Sequence, residues 1–162
     1  MDSNYDTVFS INNFKEDLSM GIRLKIEGAE TISLNEHSIN SCKFITDTPD
    51  DSNARSTDVV NSMIIEGKIL TAVGGEAADD TLKIATWSCV RAESADSYRK
   101  ATIDVVAADL IVREVVFPNA FVVDYTEHYF DTEGVGTFTL EIRQKKDKFE
   151  FTTISGGFAV QK

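Results

Sequence analysis

Apolar and polar side chains alternate with a two-residue period in several parts of this chain, and this alternation limits the folds that the chain can adopt. Residues 22–26 and 138–142 both follow it, with Ile, Leu or Phe at every second position. Successive side chains of a β-strand point to opposite sides, so the alternation predicts strands with one buried face and one solvated face. Such sheets are antiparallel by preference. The chain is therefore predicted to be mostly β, an antiparallel β-barrel or sandwich.

About eight strands are expected in all, including further segments at 39–46, 59–70, 110–117, 120–130 and 149–151. Pro118 ends one of them, because proline has no N–H to give to a sheet ladder. Simple alternation within 120–130 places the following side chains on one face: Phe121, Val123, Tyr125 and Tyr129.

One helix is predicted to flank the strands, over residues 76–90. Apolar residues recur there at helical spacing and form two stripes, one with Leu82 and Cys89 and one with Ile84 and Trp87. Two apolar stripes predict a helix that lies between two surfaces.

The chain has 162 residues, which fits one domain. We expect residues 1–20 to be an N-terminal arm and residues 21–162 to be a single β-barrel domain. The acidic, polar start lacks the basic and apolar segments of a secretory signal, so cytoplasmic assembly is expected. The formal charge of −11 disfavours nucleic acid and anionic membranes as partners.

No catalytic, cofactor or metal site is predicted. A Ser–His–acid triad needs an oriented base beside a nucleophile, and only His37 and His128 are available as bases. No glycine pattern frames a serine nucleophile or cradles a phosphate. Cys42 and Cys89 are not at zinc-ligand spacing with the histidines, so both are expected to be ordinary buried thiols.

The segment 115–146 carries the most informative pattern. An Ala-Phe-Val-Val strand leads to Tyr-Thr-Glu, then a Phe-Asp turn with a glycine, then an alternating strand that ends in basic residues. The matching pieces are Phe117, Ala120-Phe-Val-Val123, Tyr125-Thr-Glu127, Phe130-Asp131 and Gly134. This pattern resembles the hemolysin-coregulated protein family, the tube proteins of type VI secretion systems. The resemblance extends more loosely over residues 22–154.

The resemblance implies a structural subunit of the inner tube of a contractile injection system: type VI-like, phage-tail-like or an extracellular injection particle. It implies homohexameric rings stacked into a tube, with sheath, spike and baseplate proteins as partners and effector cargo in the lumen. The particle would be released or injected extracellularly. Because the chain is strongly acidic, we hypothesise an acidic lumen, which would keep acidic cargo or DNA from adhering.

Two sets of residues are assigned to this assembly. Contacts between subunits are expected from the arm and from the long polar loop 46–58, through Phe9, Ile11, Phe14, Leu18, Asp51, Asn53, Arg55, Ser56 and Thr57. The lumen-facing candidates are Asp124, Thr126, His128, Thr139, Glu141 and Arg143. The alternatives are a monomeric β-barrel or sandwich that binds a small ligand or carbohydrate, and a small hydrolase that uses His128.

Overall fold

The computed structural model describes residues 19–51, 53–54, 58–70, 80–132 and 134–161. Within these ranges there are nine strands, one α-helix and two short 3-10 helices. In chain order they are β1 (Gly21–Glu27), β2 (Thr31–Leu34), β3 (Ile39–Asp47), β4 (Val60–Ile69), α1 (Thr81–Ser88), a 3-10 helix (Ala95–Ser97), β5 (Arg99–Ala107), β6 (Leu110–Tyr129), β7 (Gly136–Gln144), a second 3-10 helix (Lys146–Phe151), β8 (Thr153–Ser155) and β9 (Phe158–Ala159). Every ladder between them is antiparallel, which confirms the predicted fold class.

The 20-residue strand β6 divides the sheet into two layers. The first half of β6 pairs with β5 on one side and with β8 and β9 on the other, and its second half pairs with β7. The strand order is β2-β1-β5-β6-β7-β4-β3. We call the strands up to and including the first half of β6, with β8 and β9, the first layer. The second half of β6 with β7, β4 and β3 is the second layer.

The core lies between the apolar faces of the two layers. Ile26 and Ile103 come from the first layer, and Ile65 and Leu140 come from the second. All four are almost completely buried. Each fully buried side chain of this size contributes about 1.5–3 kcal/mol relative to exposure. The apolar residues of the alternating pattern therefore form the face of each layer that packs inward.

Pro118 does not end a strand, contrary to the prediction. The β5–β6 ladder has a bulge there: Phe117 pairs with Ala101, and Ala120 is the next residue of β6 to pair with β5. Pairing with β7 begins at Ala120 as well. The proline therefore lies where β6 passes from one layer to the other. It belongs to no residue pair of either ladder, so its missing N–H breaks none of those pairs.

The predicted face of residues 120–130 is also wrong, because the β6–β7 register shifts between Val122 and Asp124. A bulge inserts one residue and reverses the alternation beyond it. Phe121 consequently pairs with Arg143 on the polar side, whereas Tyr125 packs against the core.

The helix buries one stripe rather than two. Ile84 and Trp87 are buried, but Leu82 is 73% exposed. The helix ends at Ser88, before the predicted end, and residues 76–79 of the predicted helix lie outside the described residues.

The C-terminal segment differs from the prediction as well. Residues 149–151 belong to the 3-10 helix Lys146–Phe151, not to a strand. The Gln144 side-chain amide donates to the Lys148 carbonyl at 3.0 Å, which holds this turn closed. The last strands are β8 and β9, and the four-residue β2 was not predicted.

No helix in the described ranges is long and apolar enough to cross a bilayer.

Candidate functional site

The outward side of the second layer is a continuous polar face built by strand register. Directly opposite residues of antiparallel strands share a face, so each row of partners crosses all four strands. The rows are Phe121–Arg143–Ser62–Ile45, Asp124–Glu141–Ile64–Lys43 and Thr126–Thr139–Glu66–Ser41. A fourth row, His128–Thr137–Lys68, crosses three strands. We call this surface the polar face.

All six predicted lumen-facing side chains lie on the polar face. Asp124, Thr126 and His128 come from β6, and Thr139, Glu141 and Arg143 come from β7. The structure therefore brings them together on one surface, next to side chains of β4 and β3 that the sequence analysis did not assign.

Hydrogen bonds join neighbouring strands across the polar face. Arg143 Nε donates to Ser62 Oγ at 3.2 Å, and Ser41 Oγ donates to Glu66 Oε2 at 2.8 Å. These contacts link β7 to β4 and β3 to β4. The face is therefore a connected polar surface without a covering layer from the described part of the chain.

The charges on the polar face nearly cancel. The basic side chains are Lys43, Lys68 and Arg143, and the acidic ones are Glu66, Asp124 and Glu141, together with Asp47, which lies on the same side of β3 beyond the first of these rows. Counted with neutral histidine, the face carries a formal charge of −1, whereas the whole chain carries −11. The acidic surface that we hypothesised for the lumen is therefore not found on this face.

Both lateral edges of the polar face are open. Among the described residues, β3 pairs only with β4, and residues 121–129 of β6 pair only with β7. An unpaired strand edge presents a row of backbone N–H and C=O groups, which can pair with another strand. One molecule thus ends in a hydrogen-bonding edge on each side of the face.

The predicted contact residues lie partly outside the described chain. Asp51 and Asn53 are exposed in the connection from β3 to β4, at one end of the polar face. The rest of that set lies outside the described residues: Phe9, Ile11, Phe14, Leu18, Arg55, Ser56 and Thr57. The β6–β7 turn lies at the opposite end of the face, with Tyr129 and Phe130 exposed.

His128 is in a poor position for a catalytic base. Its imidazole is exposed and packs edge-on against the Phe130 ring, with 4.1 Å between ring centroids. Its row partners are Thr137 and Lys68, and neither carries the carboxylate that would orient an imidazole. Within the described ranges, no three His, Cys, Asp or Glu side chains are grouped to hold a metal ion.

The two cysteines differ. Cys42 is partly buried against the core, and burial raises the pKa of its thiol to about 11, which disfavours the reactive thiolate. Cys89 is exposed at the end of α1, contrary to the prediction.

An apolar pocket lies beside the open edge of β6, and sequence reasoning missed it. Its volume is about 120 Å³, and it is lined by Trp87, Ser88, Val90, Ala92, Ser97, Tyr98, Phe121 and Val122. Tyr98 meets Phe121 edge-on with 5.9 Å between centroids, and Lys145 Nζ lies 5.1 Å from the Tyr98 ring centroid. We call it the side pocket. Six of its eight lining residues lie within 87–98, but Phe121 and Val122 come from β6, and only the single tryptophan could have indicated the pocket from the sequence.

A buried arginine fixes one wall of the side pocket. The Arg99 side chain is 3% exposed, and its guanidinium lies 5.4 Å from the Trp87 ring centroid. Arg99 donates to both carboxylate oxygens of Asp96, at 3.2 Å from Nε and 2.7 Å from Nη2. The hydrogen bond from Arg99 is the main reason that the pKa of Asp96 is lowered. This pair holds the 3-10 turn that carries Ser97 and Tyr98.

A carboxyl pair lies on the outward side of the first layer. Asp104 is directly opposite Glu114 in the β5–β6 ladder and opposite Arg23 in the β1–β5 ladder. Burial raises the pKa of Asp104, and the charge of Glu114 and its hydrogen bond raise it further, against the opposing charge of Arg23. Ser155 Oγ donates to Glu114 at 3.3 Å, which joins the pair to β8.

Comparison with solved structures finds three similar proteins or complexes among others. Hcp1 from Flavobacterium johnsoniae is 16% identical, with a TM-score of 0.49 over 85% of this chain and 96% of that one. The sheath-tube complex of the extracellular contractile injection system PVC gives 11% identity and a TM-score of 0.49, over 85% of this chain and 89% of that one. The baseplate of the anti-feeding prophage AFP gives 15% identity and a TM-score of 0.48, over 85% of this chain and 94% of that one.

No protein-family model and no curated protein matches the chain.

Proposed function

We propose that this chain is the structural subunit of the inner tube of a contractile injection system. Six copies form a ring, and rings stack into a hollow tube whose lumen is lined by the polar face. The observation that carries the proposal is a polar face that no other described residues cover and that ends, within the described ranges, in an unpaired strand edge on each side. The motif at 115–146 supports the same assignment.

Strand direction makes these two edges complementary. The four strands of the second layer alternate in direction, so β3 runs opposite to the second half of β6. In a rotationally symmetric ring, β3 of one copy adjoins β6 of the next, and the joint is again antiparallel. Such a contact uses a different surface on each partner, and it closes into a ring when the rotation is a simple fraction of a turn. Closure leaves no open edge in this layer.

Ring size follows from strand spacing. Six copies of a four-stranded layer supply 24 strands, and a spacing of about 4.8 Å gives a circumference of about 115 Å. The diameter at the backbone is then about 37 Å for upright strands and larger for tilted ones. A channel of this width holds water, which explains why the polar face carries charged and hydroxyl side chains.

The near-neutral polar face also bears on what the tube carries. A wall with alternating charges neither strongly repels nor strongly binds a passenger of one sign, in contrast to an acidic lumen. We assign effector cargo to this lumen, and sheath, spike and baseplate proteins to the other surfaces and ends. The loop with Asp51 and Asn53 and the N-terminal arm supply further contacts between subunits or rings. The subunit has no catalytic role, and the particle acts outside the producing cell.

Size-exclusion chromatography with light scattering, followed by negative-stain electron microscopy, tests the proposal. The expected result is a species of six subunits, or stacks of such rings, with a stained central hole. A monomer at high concentration that is stabilised by a small ligand or carbohydrate would instead support a ligand-binding barrel. A closed two-fold dimer would also contradict the proposal, because it would join like surfaces.

A further inference from the structure

We infer that Phe44 of one subunit packs over the side pocket of the next subunit and sets the register of the joint between them. The inference rests on the proposed ring. It assigns an interaction surface to the pocket, with a second copy of this chain as the partner.

Phe44 is a large apolar side chain on an open strand edge. It lies on the core side of β3, against Phe117 with 6.2 Å between ring centroids, yet it remains 37% exposed. Its neighbours on the same side of the strand, Cys42 and Thr46, are smaller. Ile39, also on this side of β3, is buried, so Phe44 is the one exposed bulky apolar side chain that this side of β3 offers to an adjoining strand.

Register places Phe44 at the level of the side pocket. The row Phe44–Met63–Ile142–Val122 crosses all four strands of the second layer. If two copies join their edges without offset, Phe44 of one copy lies directly beside Val122 of the next. Val122 lines the side pocket, so the exposed part of the Phe44 ring meets the pocket mouth.

The side pocket suits an aromatic ring in size and chemistry. Its volume of about 120 Å³ is close to that of an apolar cavity of about 150 Å³ that binds benzene. Trp87, Tyr98 and Phe121 supply aromatic surface, which favours edge-to-face contact with a further ring. Tyr98 is itself 37% exposed, so the contact would cover two aromatic side chains at once.

A side-chain contact of this kind fixes the register between two strands more firmly than backbone pairing alone. The hydrogen bonds of a strand edge repeat along the strand, so they fix register weakly by themselves. A single ring opposite a single pocket fixes it at one position. The contact would thus align the polar rows of successive subunits around the ring.

Disulfide trapping tests the register directly. Lys43→Cys combined with Asp124→Cys, two positions of one row that leave Phe44 and the side pocket intact, is assembled in a Cys89→Ser background and oxidised, and covalent species are counted on a non-reducing gel. The expected result is a ladder that ends at the full ring. The matched control is Asp124→Cys with Cys89→Ser alone, which keeps the native Cys42 on the opposite side of β3 and should give no ladder.

The outcomes separate this inference from the proposed function. A ladder in the control, or rings that form normally and never cross-link in the double-cysteine variant, overturns the assignment of Phe44 while leaving the ring intact. Failure of the unmodified chain to form rings overturns the proposed function and this inference together.

A second variant tests the pocket without altering Phe44. Ala92 is exposed and lines the pocket, so Ala92→Trp should fill its mouth and leave the fold intact. We expect at least a tenfold rise in the subunit concentration needed for half-assembly, with an unchanged melting temperature of the monomer. Ala159→Trp, at an exposed position on β9 outside the pocket, is the control and should assemble like the unmodified chain. Normal assembly of Ala92→Trp would contradict the inference.

Discussion

Removal of the Asp96 carboxylate should destabilise the fold because it leaves the buried guanidinium of Arg99 without its ion-pair partner. The Arg99 side chain is 3% exposed and makes two hydrogen bonds to that carboxylate, which also accepts from the Ala29 N–H at 3.3 Å. Breaking an enclosed ion pair by removing one partner costs about 3–5 kcal/mol. Asp96 is itself 32% exposed, so water can reach the vacated side. We therefore expect Asp96→Ala to cost about 2–3 kcal/mol.

Thermal and urea unfolding of the non-assembled protein measure this cost. For a domain of this size, each kcal/mol lowers the melting temperature by about 2–4 °C, so a fall of about 5–10 °C is expected. Glu93→Ala is the matched control from the same segment. Glu93 pairs with Arg91, and their side chains are 68% and 84% exposed. Such a pair contributes less than about 1 kcal/mol.

The effect of Asp96 should also depend on pH with a definite sign. Its pKa is lower in the folded protein than in the unfolded chain, so its contribution is present above the usual aspartate pKa and is lost as the pH falls through the folded value. The stability difference between the unmodified chain and Asp96→Ala should therefore shrink in acid. Equal losses of stability in Asp96→Ala and Glu93→Ala at neutral pH would show that Arg99 does not depend on its ion pair with Asp96.

Three further predictions concern other parts of the molecule. Gly67→Ala should cost at least about 2 kcal/mol in urea unfolding, because its new methyl group would meet the Ser38 carbonyl and the Phe138 ring; an unchanged midpoint would contradict the packing. Asp104→Asn should be more stable than the unmodified chain at neutral pH and similar to it near pH 3. Because the pKa of Asp104 is raised in the folded protein, the unmodified chain loses stability as the pH rises above the usual aspartate range. The same difference in melting temperature between Asp104→Asn and the unmodified chain at both pH values would contradict this prediction. His128→Ala should assemble normally, and an activity lost with this change would favour the hydrolase alternative.

Alternation was enough to predict the strands whose two faces differ in solvation. In β7, the inward side chains Phe138, Leu140 and Ile142 are buried, whereas Thr139 and Glu141 lie outward, as the sequence indicates. The six side chains assigned to the lumen share one face because β6 and β7 keep strict register beyond the bulge.

Three features could not be predicted because they depend on tertiary pairing. The bulge between Val122 and Asp124 has no glycine or other local marker, yet it reverses the orientation of Phe121. Pro118 predicts a strand end, but β6 changes its partner strand there, so no residue pair of either ladder needs the N–H that proline lacks. The side pocket combines residues from α1, the following turn and β6, whose meeting no local pattern encodes.

Electron cryomicroscopy of the assembled protein would show the proposed arrangement of subunits. We expect a hollow tube of six-subunit rings in which the Thr126–Thr139–Glu66–Ser41 row faces the channel and β3 of each subunit pairs antiparallel with residues 121–129 of the next. A reconstruction in which this row faces outward, or in which β3 and β6 of adjoining subunits do not meet, would contradict it.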